Sequence, residues 1–93
     1  MVRKQVVRKR VVVAGSVQGV GFRASCAQRA RAAGVGGTVR NLPDGRVEAV
    51  FEGSADAVDR LVAWCSHGPA YSEVLEVDVA DEELRGESSF HIS

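Results

Sequence analysis

Residues 15–23 read Gly15-Ser16-Val17-Gln18-Gly19-Val20-Gly21-Phe22-Arg23. The valine run Val11-Val12-Val13 precedes them, and a stretch with helical spacing follows. The chain therefore opens as strand, glycine-rich loop, helix. Glycine lets a backbone approach a ligand closely and adopt conformations barred to other residues. Successive N–H groups in such a loop can converge on one anion. The helix N-terminus adds its partial positive charge at the same place. Arg23 at a helix start opposes that dipole unless an anion lies between them. Its guanidinium can grip two phosphate oxygens at once. The segment reads as a cradle for one phosphoryl group. Its binding groups would be the N–H groups of Val17, Gln18, Gly19, Val20, Gly21 and Phe22.

Two better-known phosphate loops do not fit. The Walker pattern needs a second glycine where Val20 stands, and then a lysine. The dinucleotide fingerprint Gly-x-Gly-x-x-Gly is absent. On composition alone, a tight turn without a ligand is an equally good reading. Gln18 and Ser16 could donate hydrogen bonds, although a polar loop residue usually caps its own turn.

Outward from the loop, residues 6–14 read as a valine-rich strand. Residues 22–33 read as a helix with Phe22, Cys26, Ala30 and Ala33 on its apolar stripe, closed by Gly34, Gly36 and Gly37. Residues 38–42 and 46–52 read as a hairpin about Pro43-Asp44-Gly45, which is turn chemistry rather than catalysis. In the second strand Val47, Ala49 and Phe51 alternate with Glu48, Val50 and Glu52. The second set reads as mostly wet, its charges as a solvated face. Ser54 caps a second helix with Asp56 in its first turn and Val58, Leu61, Val62 and Cys65 as its stripe. Trp64 lies beside that stripe and reads as packing. Residues 73–79 read as a strand with Leu75, Val77 and Val79 inward. Residues 81–89 read as an acidic loop, and residues 90–92 as a short last strand. The order β-α-β-β-α-β predicts an α+β, ferredoxin-like sandwich: an antiparallel sheet with two helices on one face.

The string Val17-Gln18-Gly19-Val20-Gly21-Phe22-Arg23 resembles the signature of acylphosphatases. A second block, Gly37-Thr38-Val39-Arg40-Asn41-Leu42-Pro43-Asp44-Gly45-Arg46-Val47-Glu48, is similar to that family's second signature. Gly68-Pro69-Ala70 and Phe90-His91-Ile92 also stand where the family has similar residues. The resemblance implies the same ferredoxin-like fold and the hydrolysis of acyl phosphates without metal or cofactor. It also implies that Arg23 and Asn41 are the catalytic pair, Arg23 on the phosphate and Asn41 on the attacking water. By position alone Asn41 would read as a turn-initiating residue bonded to its own backbone. Ala24, Ser25 and Thr38 stand where many members carry aromatic residues, so substrate preference and turnover stay open.

Ninety-three residues make one domain, of which residues 1–5 are expected to form a flexible arm. No apolar run approaches the roughly 20 residues of a membrane span, and no signal peptide is recognisable. A soluble, cytoplasmic monomer is expected. Its partners would be a small acyl phosphate and the phosphate product, with no membrane and no nucleic acid. Net charge is zero, but residues 1–46 hold ten Lys/Arg and one acid, and residues 47–93 hold two Arg and eleven acids. That split suggests a basic half around the phosphate site and acids coating the far side. Interleaving of the halves is the plainer alternative. Cys26 and Cys65 read as small core residues, and no residue cluster has metal-ligand spacing.

Three other functions fit the same residues. The resemblance extends to a carbamoyl-phosphate-handling domain of hydrogenase maturation proteins, normally part of a long multidomain chain. A non-catalytic acyl-phosphate sensor would have the same site. From another class comes a nucleic-acid-binding ferredoxin-like module. The basic segments Arg3-Lys4 and Arg8-Lys9-Arg10 favour it, and the lack of stacking aromatics on the central strands opposes it.

Overall fold

The computed structural model describes residues 5–93. Seven elements follow in order: β1 (Val6–Ser16), α1 (Phe22–Ala32), β2 (Gly36–Asn41), β3 (Val47–Ser54), α2 (Ala55–Cys65), β4 (Glu73–Asp81) and β5 (Phe90–Ile92). The sheet order is β4-β1-β3-β2-β5. β1 runs antiparallel to β3 and β4, and β2 antiparallel to β3, as the ferredoxin-like order requires. β5 extends this sheet by pairing parallel to β2, which makes it mixed. What seats β5 is Phe90, which is buried and stacks on Phe51 with ring centroids 5.8 Å apart. Most of the expected N-terminal arm, residues 1–4, lies outside the described residues. Gln5, its last residue, accepts a 2.9 Å hydrogen bond from the Ala55 N–H.

Alternation along the strands builds the core. Val11, Val13, Val39, Val47, Ala49 and Phe51 face the helices, which answer with Phe22, Cys26, Ala30, Val58, Leu61 and Cys65. Both cysteines are free and fully buried. A hydrogen bond with Cys65, together with burial, pushes the Cys26 thiol far up, so it stays protonated as a core residue. Among the described residues no helix is long and apolar enough to cross a membrane.

Three local expectations give way. Gly34, at φ 70°, ends α1 alone, and Gly36 and Gly37 belong to β2. A side chain on Gly36 would strike the Glu87 carbonyl oxygen, and one on Gly37 that of Val50, so close approach explains both. Ala27 rather than Ala33 joins the buried face of α1, because Ala33 is already the C-cap. In β4, Leu75 is 74% exposed. The register against β1 slips there: Ala14 pairs with Glu76 and Gly15 with Val74. Leu75 is thus the extra residue of a β-bulge, and Val74 turns inward instead.

The charged face of β3 is also not solvated. Glu52 is 4% exposed and bonds Arg8, itself 5% exposed, at 2.9 Å. It also accepts the N–H groups of Arg85 at 2.9 Å and Gly86 at 2.7 Å. Segment 82–89 therefore folds back over this side of the sheet. Glu48 bridges Arg10 at 2.6 Å and Arg40 at 2.9 Å. Burial works to raise the Glu48 carboxyl, and those two guanidinium contacts outweigh it and hold it low. Except for Arg46–Asp44, each ion pair among the described residues joins a basic residue of the first half to an acid of the second. The halves interleave, and the acids do not simply coat a far side.

Glu52→Ala should cost about 3 kcal/mol in denaturant unfolding at neutral pH, because it leaves two loop N–H groups without an acceptor and takes from buried Arg8 one of its three carboxylates, the others being Glu82 and Glu87. The Arg85 N–H foremost, then Arg8 and Gly86, holds the Glu52 carboxyl below its ordinary 4.5. A lowered folded value stabilises above the ordinary value and is lost as pH falls through the folded one. The deficit of Glu52→Ala should therefore shrink towards pH 3. A deficit unchanged between pH 7 and pH 3 would show that the charge of Glu52 is not what holds the loop.

Candidate active site

Strand direction assembles the site. β1 and β2 both run antiparallel to β3, so they are parallel to each other and their C-terminal ends share one end of the sheet. β5, parallel to β2, ends there too. The glycine loop leaves β1 at that end, Asn41 closes β2, and Ile92 closes β5. A cleft of about 230 Å³ lies between them, lined by Val17, Gly19, Gly21, Phe22, Arg23 and Asn41, with Ala24 and Ile92 at its wall. Arg23 and Asn41, 18 positions apart in sequence, thus share one cavity.

The loop has the backbone shape that its glycines permit. Gly19 and Gly21 take φ of 75° and 78°, and Gly21 is the N-cap of α1. Among the described residues no side chain caps α1, and its first turn holds no acid. α2 is the contrast within the same fold: Ser54 accepts the Ala57 N–H at 3.4 Å, and Asp56 sits in the first turn. The opening N–H groups of α1 are left for another acceptor. Below them Phe22 is buried and packs on Trp64, with centroids 5.1 Å apart. The Arg29 guanidinium lies over the same indole, 5.1 Å from the ring centroid. A Cβ on Gly68 would lie 2.8 Å from the Phe22 ring, so glycine there makes room for it. This packing fixes where α1 begins.

Arg23 is half-buried, and its Nη1 donates a long 3.4 Å bond to the Ser93 carbonyl oxygen. Among the described residues it pairs with no Asp or Glu. Asn41 is half-buried, and its side chain makes no hydrogen bond among the described residues. The turn after it is held by Asp44, whose Oδ1 accepts the Arg46 N–H at 3.1 Å. The side-chain bond of this turn is thus made by Asp44, and among the described residues the Asn41 carboxamide is free of such a bond.

Gln18 and Val20 do not line the cleft. Val20 packs half-buried against the core. The Gln18 amide does not cap its own turn: its Nε2 donates to the carbonyl oxygens of Leu42 at 2.8 Å and Arg46 at 3.0 Å. Nothing in the spacing of Gln18 points to those partners. Of the three positions lacking an aromatic residue, only Ala24 borders the cleft. Thr38 lies in another hollow, with Arg10 and Arg40.

Residues 9–92 match the sequence profile of the acylphosphatase family. The chain is 58% identical over 83 residues to an acylphosphatase of Rubrobacter xylanophilus, covering 89% of this chain and 76% of that protein. It superposes on the structure of an acylphosphatase from Coxiella burnetii with a TM-score of 0.92 at 33% identity, covering 100% of both chains. It also superposes on T. kodakarensis HypF with a TM-score of 0.79, covering 91% of this chain and 11% of that one. At 24% identity the HypF likeness is one of fold. The profile match spans the cleft from Val17 to Ile92, and the chain belongs to the acylphosphatase family of acyl-phosphate hydrolases.

Proposed function

We propose that the cleft hydrolyses small acyl phosphates without a metal, the glycine-loop N–H groups and Arg23 holding the phosphoryl group and Asn41 orienting the attacking water. The observation that carries this reading concerns the described residues: a start of α1 with no side-chain cap shares one cleft with an arginine that pairs with no Asp or Glu and a carboxamide that makes no hydrogen bond. Water attacks phosphorus, and the bond from phosphorus to the acyl oxygen breaks. The carboxylate leaves with the electron pair, and the proton given up by water stays with the phosphate. A carboxylate leaves readily, so no strong acid is needed. The transition state is loose, its charge spread over the phosphoryl oxygens. Fixed N–H groups and a guanidinium answer that charge. The carboxamide offers both a donor and an acceptor for positioning water. Among the described residues, the side chains lining the cleft supply no carboxylate, imidazole or thiolate, donors that hold metals.

The nucleic-acid reading loses support because the cations it draws on among the described residues are engaged; Arg3 and Lys4 lie outside them. Arg8 is buried against Glu52, and Arg10 is paired with Glu48. A non-catalytic sensor and a carbamoyl-phosphate-handling domain are separated from this reading by assay with acetyl phosphate and carbamoyl phosphate.

Inorganic phosphate should inhibit competitively at millimolar levels, and excess EDTA should leave the rate unchanged. The first follows from the anion cradle and the second from the donor set. Absence of phosphate binding at those levels would remove the cradle. Loss of activity in EDTA, restored by a divalent cation, would remove the metal-free mechanism.

A further inference from the structure

We propose that Gln18 is a positioning residue: its side chain locks the phosphate cradle to the β2–β3 hairpin and so sets the distance between the phosphoryl group and the water on Asn41. The inference rests on the roles given above to the loop, Arg23 and Asn41.

The two halves of the site have no ladder in common. The cradle hangs from β1 and Asn41 from β2, with β3 between them in the sheet. Two strand spacings put those strands roughly 10 Å apart. The cradle carries three glycines, Gly15, Gly19 and Gly21, all at positive φ (131°, 75° and 78°), so side chains restrict its backbone less than elsewhere. Such a loop makes a poor anion site unless something outside it fixes its shape, because catalysis by dipoles depends on their being aimed beforehand.

Among the described residues, the Gln18 amide is the side chain of the cradle that reaches the hairpin. Its Nε2 bonds both the Leu42 carbonyl oxygen (2.8 Å) and the Arg46 carbonyl oxygen (3.0 Å). Those carbonyls face each other across the mouth of the turn, where the Leu42 N–H also donates to the Arg46 oxygen at 2.8 Å. Leu42 directly follows Asn41. The amide thus uses both its protons to straddle the hairpin one residue from the proposed water-holding group. Gln18 is exposed and outside the core, so the contact is a brace and not packing. Only an amide of this length fits the role: a carboxylate would turn oxygens towards two carbonyl oxygens, and leucine offers no donor.

Gln18→Leu and Gln18→Glu should each lower kcat on the order of 10-fold, since a misplacement of about 1 Å between reacting groups is costly. The affinity for inorganic phosphate should stay within about twofold of wild type, because the cradle N–H groups and Arg23 remain. Gln18→Leu introduced into Asn41→Ala should lower kcat by less than about twofold, because the brace then has no water-holding group to position. Unchanged kcat in the single variants overturns the proposal. So does an equal loss in both backgrounds, or a loss carried by phosphate affinity, which would make Gln18 part of the cradle's own binding. Asn41→Ala with wild-type kcat would instead sink the role of Asn41, and with it the need for a brace.

Discussion

Arg23→Ala is expected to lower kcat/KM for a simple acyl phosphate by roughly 100-fold or more and to weaken phosphate binding. Removing one charge-assisted donor from a developing negative charge has a cost of that order. Here the loss is concentrated, because Arg23 is, among the described residues, the one charged side chain that lines the cleft. The fold should survive, since Arg23 gives up only a long 3.4 Å bond to Ser93 and no ion pair among the described residues. Arg23→Lys should fail nearly as badly, because an ammonium lacks the planar fork that holds two oxygens. Steady-state kinetics with a simple acyl phosphate, alongside a thermal melt, check both. Activity of Arg23→Ala within a fewfold of wild type would take Arg23 out of the site.

Asn41→Ala should lower kcat by a comparable factor and leave phosphate affinity almost unchanged. The expected asymmetry follows from a division of labour. The loop N–H groups and Arg23 touch the phosphoryl group before and during reaction, whereas Asn41 is proposed to touch only the water. A group of the second kind shows itself in kcat and not in ground-state binding. Asn41 is half-buried, with no side-chain bond among the described residues, so the substitution should cost little stability. If phosphate affinity falls along with kcat, Asn41 is a ligand of the substrate.

The sequence discloses local pattern better than meeting of distant segments. The glycine loop, Arg23 and the helical stripes could be read directly, because each is set by residues within a few positions of one another. Asn41 could not be assigned from spacing, and its place beside Arg23 depends on β1 and β2 sharing a direction through β3. Glu48 and Glu52 looked like a wet face because alternation marks only which residues share a side. It carries no sign that segment 82–89 folds back and that arginines on neighbouring strands meet those acids. Leu75 looked inward because period-two counting assumes an unbroken register, and the bulge opposite Ala14 and Gly15 reverses it. Gly36 and Gly37 looked like helix terminators, since the need for close approach to Glu87 and Val50 exists only in the folded chain. Gln18 lies within the recognisable motif, and its partners lie 24 and 28 positions away.

The bulge has a consequence for how copies of this chain behave towards one another. β4 is an outer strand of the sheet, nine residues long, and an open strand of that length invites pairing with its like. Two features work against such pairing. The extra residue at Leu75 breaks the even run of backbone donors and acceptors that a second strand would need. Glu73, Glu76, Asp78 and Asp81 give every copy of the strand the same negative charge, so two of them brought side by side repel. At the opposite border, β5 is only three residues long and offers little to pair with. The irregularity that exposes a leucine therefore also works against the addition of one copy to another strand by strand.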